Sequence, residues 1–352
     1  MLQRLFSLLF PAFLSCALTG ALLVAIPVAP AAWAQETEPV RVEDGCQGSD
    51  LFERMAPETR NALAAAAMAA PFPSGNHWLA SRGDSTIHLI GTFHVFDPRM
   101  TPHMRKLMPV LHKADLILLE ATEDDMAQLK KDLASKPEMI FVTGPTLPDR
   151  LEPAEWNALR SELELRGIPG FFAAKFQPWY VTMILSIPPC AASQMTEGST
   201  GFDQLIMTAA REMGTPTMAL EPYDTVFRVF GGMTPEEQLE SVRAAMASAP
   251  MATDMLVTMK NAYFREEHRL LWEVARQQSI DAASDPEQGK ADFERLEDAL
   301  INDRNLAWMD RIRAEAAGRT LVVAVGAGHL AGHKGLLNLL AEDGYEIRRQ
   351  DF

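Results

Sequence analysis

The sequence predicts an α/β fold: a mixed central β-sheet flanked by helices, with a helical insertion between two sheet-forming halves. Three observations predict it. Short apolar runs at 86–90 (TIHLI), 115–120 (DLILLE), 217–220 (TMAL) and 321–325 (LVVAV) have the length and branched composition of buried strands. The longer stretches between them carry apolar residues at helical spacing. Each run also ends in, or shortly before, an ionisable residue, namely His94, Glu120, Glu221 and His329. Ligands of open α/β sheets bind outside the carboxyl ends of the strands, so these four residues mark a candidate site.

From the N-terminus, residues 1–34 combine a basic start at Arg4, a long apolar stretch and Ala32-Trp33-Ala34, the pattern of a secretory signal peptide. The stretch is long enough to span a bilayer if retained, but Pro11, Pro27, Pro30 and the Ala-x-Ala ending favour cleavage. The expectation is a secreted or periplasmic mature chain with no membrane span. Loss of the leader removes only Arg4 and moves the formal charge from −15 to −16. So acidic a chain is ill suited to nucleic acid or an anionic lipid surface as its main partner.

Residues 35–75 read as a polar linker with one short helix at 59–70, and residues 76–352 as the folded domain. Two cysteines remain after the leader, Cys46 and Cys190. They either form one disulfide, as an oxidising compartment permits, or stay as two buried thiols. A hairpin is expected from 78–80 and 86–92 around the turn formers at 81–85, followed by helices at 101–113 and 123–135 on either side of the DLILLE strand. The middle is helical. A segment from Pro153 reaches Arg166, an apolar helix over 171–187 must kink or end at Pro178, and a helix at 202–214 feeds the strand before Glu221. Amphipathic helices at 235–247, 252–278 and 292–317 precede LVVAV, and a helix at 336–341 and a strand at 346–349 close the chain.

The chemistry concentrates in two Gly-x-x-His motifs, GTFH at 91–94 and GAGH at 326–329, each just beyond a strand. One such motif means little, since this composition yields about 0.5 by chance. Two in matching contexts mean more. The glycines are expected to let the backbone turn sharply as each strand leaves the sheet. If the four strands are neighbours, His94, His329, Glu120 and Glu221 converge on one rim, a donor set suited to a divalent ion of the Zn, Mn, Co or Fe type. Bound water there would be acidified, and Glu120, where not needed as a ligand, could take its proton.

Each residue also has a structural reading. A strand-end histidine can be a hydrogen-bonded cap, and Glu120 and Glu221 can be solvated strand ends. Arg304, in the polar cluster Asn302-Asp303-Arg304-Asn305, either holds a substrate carboxylate or oxyanion, or forms a helix salt bridge with a neighbour such as Asp310. His88 is expected to be a half-buried packing residue, and His103, His112, His268 and His333 to be surface groups.

With these residues identified, the sequence resembles the TraB/GumN family, which includes the Tiki proteins. The segments HLIGTFHVFDP, DLILLEAT, KFQPW, GFDQLI, ALEPYDTVF, NDRNLAW and VAVGAGHLAG carry the likeness in order, from about His77 to Arg348. The resemblance implies a fold like that of the wider group containing erythromycin esterases and ChaN-type haem-binding lipoproteins, with His94, Glu120, Arg304 and His329 lining one cleft. It also implies, through the Tiki proteins, a metal-dependent peptidase acting on a peptide or small-molecule substrate. The expectation is therefore an exported metal-dependent hydrolase with Glu120 and Arg304 catalytic, His94, His329, Glu120 and Glu221 on the metal, and Mn, Co or Zn as cofactor. The alternative is a protein of the same fold that captures haem or a metal without turnover.

Overall fold

The computed structural model describes residues 46–196, 201–283 and 285–352; the expected leader and the start of the expected linker lie outside the described residues. One six-stranded sheet organises the domain. Its strands are β1 (His77–Arg82), β2 (Ser85–Thr92), β3 (Leu116–Leu119), β4 (Thr217–Ala219), β5 (Thr320–Gly326) and β6 (Glu346–Arg349), in the order β4-β3-β5-β2-β1-β6. The four strands β4, β3, β5 and β2 run parallel, while β1 is antiparallel to both β2 and β6. The sheet is thus mixed, as the sequence predicts.

Local chemistry explains the elements. Arg82 pairs with Ser85 across a two-residue hairpin turn, Gly83-Asp84, and Gly83 takes the positive φ of 57° that such a turn demands. Strand β5 is buried on both faces, as a central parallel strand must be. Leu321, Val323 and Val325 pack on one side against Trp308, Ile312 and Leu336. Val322 and Ala324 pack on the other against Leu107, Leu111, Phe202 and Ile206. One helical layer, Asp303–Ala316 with Leu336–Glu342, therefore covers the first face, and Met100–Lys113 with Phe202–Met213 covers the second. The helical insertion builds its own core around Leu159, Leu163, Trp179, Val181, Phe230 and Val242.

Helix ends follow capping rules. Thr122 and Asp125 form a capping box at Glu123–Ser135, where the expected and observed limits coincide. Three expected helices are divided. The apolar one breaks into Gly170–Ala173 and Pro178–Ser186 because Pro178 has no N–H to continue the ladder. The stretch from 252 becomes Ala252–Phe264 and His268–Ala282, separated where Glu266 adopts φ 59°. The last becomes Pro286–Glu297, a π-helical turn at Asp298–Asn302, and Asp303–Ala316. Among the described residues no helix is long and apolar enough to cross a membrane.

The segment before the sheet is packed against the domain. Its helix Pro57–Met68 sets Leu63 and Ala67 against Leu270 and Val274. Cys46 and Cys190 form a disulfide that links residues 144 apart. Closing so long a loop restricts the unfolded chain, so Cys46→Ser should lower unfolding stability by about 2–4 kcal/mol in urea titrations. Reduced parent protein should match the variant.

Candidate functional site

Parallel register brings the chemistry to one edge. Thr92 of β2 lies opposite Gly326 of β5, so the two Gly-x-x-His segments leave the sheet side by side. Leu119 pairs with Ala324 on one side and Ala219 on the other. Glu120, following β3, therefore stands beside the end of β5, with Glu221 beyond it. The four candidates from the strand ends share one rim.

A cation already stands between the two carboxylates. Arg304, on the helix Asp303–Ala316, donates from Nη2 to Glu120 Oε2 at 2.7 Å. It grips Glu221 with two bonds, Nη2 to Oε1 at 2.6 Å and Nε to Oε2 at 3.0 Å. Its Nη1 donates to the Leu300 carbonyl at 3.0 Å and lies 3.4 Å from His329 Nε2. The planar fork of arginine allows this simultaneous engagement, which the point charge of lysine could not reproduce. A π turn at Asp298–Asn302 directly precedes the helix that carries Arg304, Asn305 and Trp308. Trp308 donates from Nε1 to Glu221 Oε2 at 3.1 Å, and the Gly326 N–H donates to Glu120 Oε1 at 2.7 Å.

These contacts push the two carboxylates in opposite directions. Burial alone would raise Glu120, but the charge of Arg304, with His329, His94 and the Gly326 N–H, outweighs it and holds the group down to about 2. Glu221 is raised, because burial and the nearby charge of Glu120 prevail over Arg304 and Trp308. Asp310, the helix partner considered for Arg304 from sequence, pairs instead with Arg313 at 3.4 Å.

The imidazoles are held from opposite layers. His329 presents Nδ1 to Asn305 Oδ1 at 2.7 Å. Asn305 donates its amide to the carbonyls of His329 and Lys334, which fixes Oδ1 as the acceptor and His329 as the Nδ1–H tautomer. Burial, followed by the charge of Arg304, lowers His329 to about 3, so the ring is neutral at physiological pH. His94 has its Nδ1 3.0 Å from Asp203 Oδ1, at ion-pair distance but not aligned as a hydrogen bond. Asp203 lies in the first turn of Phe202–Met213. The Phe202 N–H donates to the Phe93 carbonyl at 2.7 Å. A Cβ on Gly201 would come within 2.4 Å of the His94 carbonyl, so only glycine permits this approach.

Both rings line a cavity of about 50 Å³ with Thr92, Tyr263, His268 and the backbone of 326–328. Thr92 Oγ1 is buried there with no hydrogen-bond partner in the protein, a polar atom left for a ligand or water. Glu120, Glu221 and Arg304 do not line this cavity; they sit behind His329. Among the described residues no group of three or more His, Cys, Asp or Glu side chains is disposed to hold a metal ion. The two imidazoles face one cavity, but the carboxylates that would complete a ligand set are turned to Arg304.

Two expectations are corrected. The motif glycines do not serve a sharp turn, since Gly326 has an ordinary φ of −49° and Gly91 lies within β2. Gly91 instead permits close packing, because a Cβ there would meet Ala327 and Leu330 at 3.0 Å. His268 is buried rather than at the surface. Burial and the charges of Arg269 and Arg349 lower it to about 3. Sequence reasoning also missed Asp203, Asn305 and Thr92 as site residues. Each lies in or beside a motif already singled out, GFDQLI, NDRNLAW or GTFH, so adjacency to a motif was the available signal.

A model described as the TraB/PrgY/gumN family matches residues 76–349. The proteins named "Uncharacterized protein YbaP" from Escherichia coli (strain K12) and from Shigella flexneri are each 27% identical over 274 residues, which is 76% of this chain and 94% of the relative. No solved structure matches the chain.

Two predictions follow from the packing and the titrations. Gly201→Ala should lose about 1–3 kcal/mol and separate Asp203 from His94, because two backbones meet at that point; urea denaturation with a crystal structure of the variant checks this. His268 and His329 are neutral when folded, whereas an ordinary histidine in the unfolded chain takes up a proton near pH 6.5. The unfolded state therefore binds more protons between about pH 6.5 and 3, and stability falls as pH drops through that window, by up to about 1.4 kcal/mol per pH unit per ring. Stability measured from pH 7 to 4.5 should fall less steeply in His268→Gln than in the parent.

Proposed function

The chain belongs to the TraB/PrgY/gumN family, and from that premise and the cavity geometry we propose that it is a hydrolase of peptide or small-molecule acyl bonds, acting at the His94–His329 cavity. The observation that carries this reading is the pair of buried imidazoles on one cavity, each with an acceptor oxygen at Nδ1. At His94 such a partner biases the ring to carry its proton on Nδ1 and its lone pair on Nε2, the basic nitrogen of the mechanism, whereas His329 Nε2 faces Arg304 Nη1 at 3.4 Å.

In this mechanism His94 Nε2 takes a proton from water as the water oxygen attacks the acyl carbon. The tetrahedral intermediate then collapses, the proton returns from His94 to the leaving group, and acid and amine or alcohol depart. Asp203 stabilises the imidazolium formed in between. Glu120 and Arg304 act as positioning residues: Glu120 ties the Gly326 N–H to Arg304, and Arg304 sets the charge beside His329 Nε2. Glu221 anchors the guanidinium.

Among the described residues the divalent ion expected from sequence finds no three-donor set. A cavity of about 50 Å³ suits water and one reacting group. The Cys46–Cys190 disulfide supports the expectation that the chain works in an oxidising compartment, outside the cytosol.

Purified protein assayed on chromogenic esters and a short-peptide panel tests this reading. His94→Ala should lower kcat/KM by about 10²–10⁴-fold, and Asp203→Asn should lower kcat with little change in KM. Unchanged turnover in His94→Ala overturns the reading. Elemental analysis that finds one equivalent of metal in the parent and none in His94→Ala replaces it with a metal-dependent mechanism.

A further inference from the structure

Proton transfer to His94 leaves one charge unprovided for. As water adds to the acyl carbon the acyl oxygen becomes negative, and a buried oxyanion needs a hydrogen-bond donor aimed at it. The polar side chains on the cavity wall are Thr92, His94, Tyr263, His268 and His329, and most of their donors are committed elsewhere. The Tyr263 hydroxyl donates to the Gly91 carbonyl at 2.9 Å. His329 gives its Nδ1–H to Asn305 and turns Nε2 to Arg304. The Phe72 carbonyl faces His268 and draws the one proton of that buried, neutral ring. His94 serves as the base, and Arg304 does not line the cavity.

Thr92 differs from the others. It is the last residue of β2, opposite Gly326 at the end of β5, and is only 2% exposed. Its Oγ1 is buried without a hydrogen-bond partner in the protein. A hydroxyl that gives up water and gains no partner is unfavourable. Valine has nearly the same shape, suits a strand as well and would avoid that cost, so packing alone does not account for threonine here. A cavity of about 50 Å³ has room for only a few water-sized groups. An acyl group bound at His94 therefore lies against this hydroxyl as well.

We propose that Thr92 is a further catalytic residue, whose Oγ1–H donates a hydrogen bond to the acyl oxygen as that oxygen becomes an oxyanion during attack by water. This role rests on the hydrolase reading, which it deepens. The hydroxyl keeps its proton throughout. Its bond to the acyl oxygen strengthens as the carbonyl electron pair moves onto oxygen, and relaxes when the pair returns and the leaving group departs with the proton from His94.

Steady-state kinetics on the chromogenic esters, together with calorimetric titration of the full chain with methylboronic acid, tests this role. Boron takes up water to become a tetrahedral anion, so the probe reports oxyanion binding without turnover. Thr92→Val should lower kcat by about 10²-fold with little change in KM, and weaken the boronate by a similar factor. Its urea midpoint should equal or exceed that of the parent. Thr92→Ser keeps the hydroxyl and should retain most of the turnover and the binding. Turnover abolished in His94→Ala yet unchanged in Thr92→Val overturns the role of Thr92 and leaves the hydrolase reading standing. Boronate binding that depends on the Thr92 hydroxyl in a parent without turnover overturns the hydrolase reading and supports the oxyanion donor. A parent that neither turns over nor binds the boronate overturns both. Equal losses in Thr92→Val and Thr92→Ser make the residue structural, and a covalent acyl group found on Thr92 by mass spectrometry makes it the nucleophile; either result overturns the proposed role.

Discussion

The arrangement of the site depends on one buried interaction, the guanidinium of Arg304 held between Glu120 and Glu221. The three side chains are each less than one-tenth exposed, where an unpaired charge is severely unfavourable and a paired one is tolerated only with good geometry. Neither carboxylate can move without stranding the arginine. The cluster thus ties the end of β3, the segment after β4 and a helix of the covering layer to one another. Its reach extends further, since Glu120 also accepts the Gly326 N–H where β5 ends and His329 follows. A buried ion pair of this kind adds little net stability over an apolar core of equal volume, and its role here is to specify geometry.

On that frame the two histidines are set from opposite faces of the sheet. Asn305 approaches His329 from the Asp303–Ala316 layer, and Asp203 approaches His94 from the Phe202–Met213 layer. Any relative shift of the layers alters the distance between the rings, so the packing of β5 on both faces is part of the functional geometry. Separation of duties follows. The cluster places fixed charge behind the cavity, and the two imidazoles line it. At a rim that holds two histidines and two glutamates, the guanidinium of Arg304 takes the position between the two carboxylates.

Much of this was legible in the sequence, and the reasons differ by element. LVVAV and DLILLE announce themselves because parallel strands buried on both faces need continuous apolar runs. The rim residues were legible for the same reason: an ionisable group directly after such a run has to sit at the sheet's edge. The partnership of Arg304 with Glu120 and Glu221 was not legible, because the partners are separated by 184 and 83 positions and nothing in a linear pattern records which charges meet. The roles of Gly91 and Gly201 escaped for a related reason, since close approach of two backbones depends on tertiary packing, whereas positive φ is a local property. His268 was misplaced because the break at Glu266 ends one helix and starts another, which resets the helical phase that decides which side is buried.

Arg304 is shared by two buried carboxylates, and a double-mutant cycle on unfolding free energy tests that sharing most directly. Arg304→Met should destabilise the chain by about 3–5 kcal/mol, because it strands two charges. Adding Glu221→Gln to that variant should recover part of the loss, giving a coupling well beyond the roughly 0.5 kcal/mol scatter of independent sites. Single and double losses that simply add, or an Arg304→Met chain as stable as the parent, would contradict it.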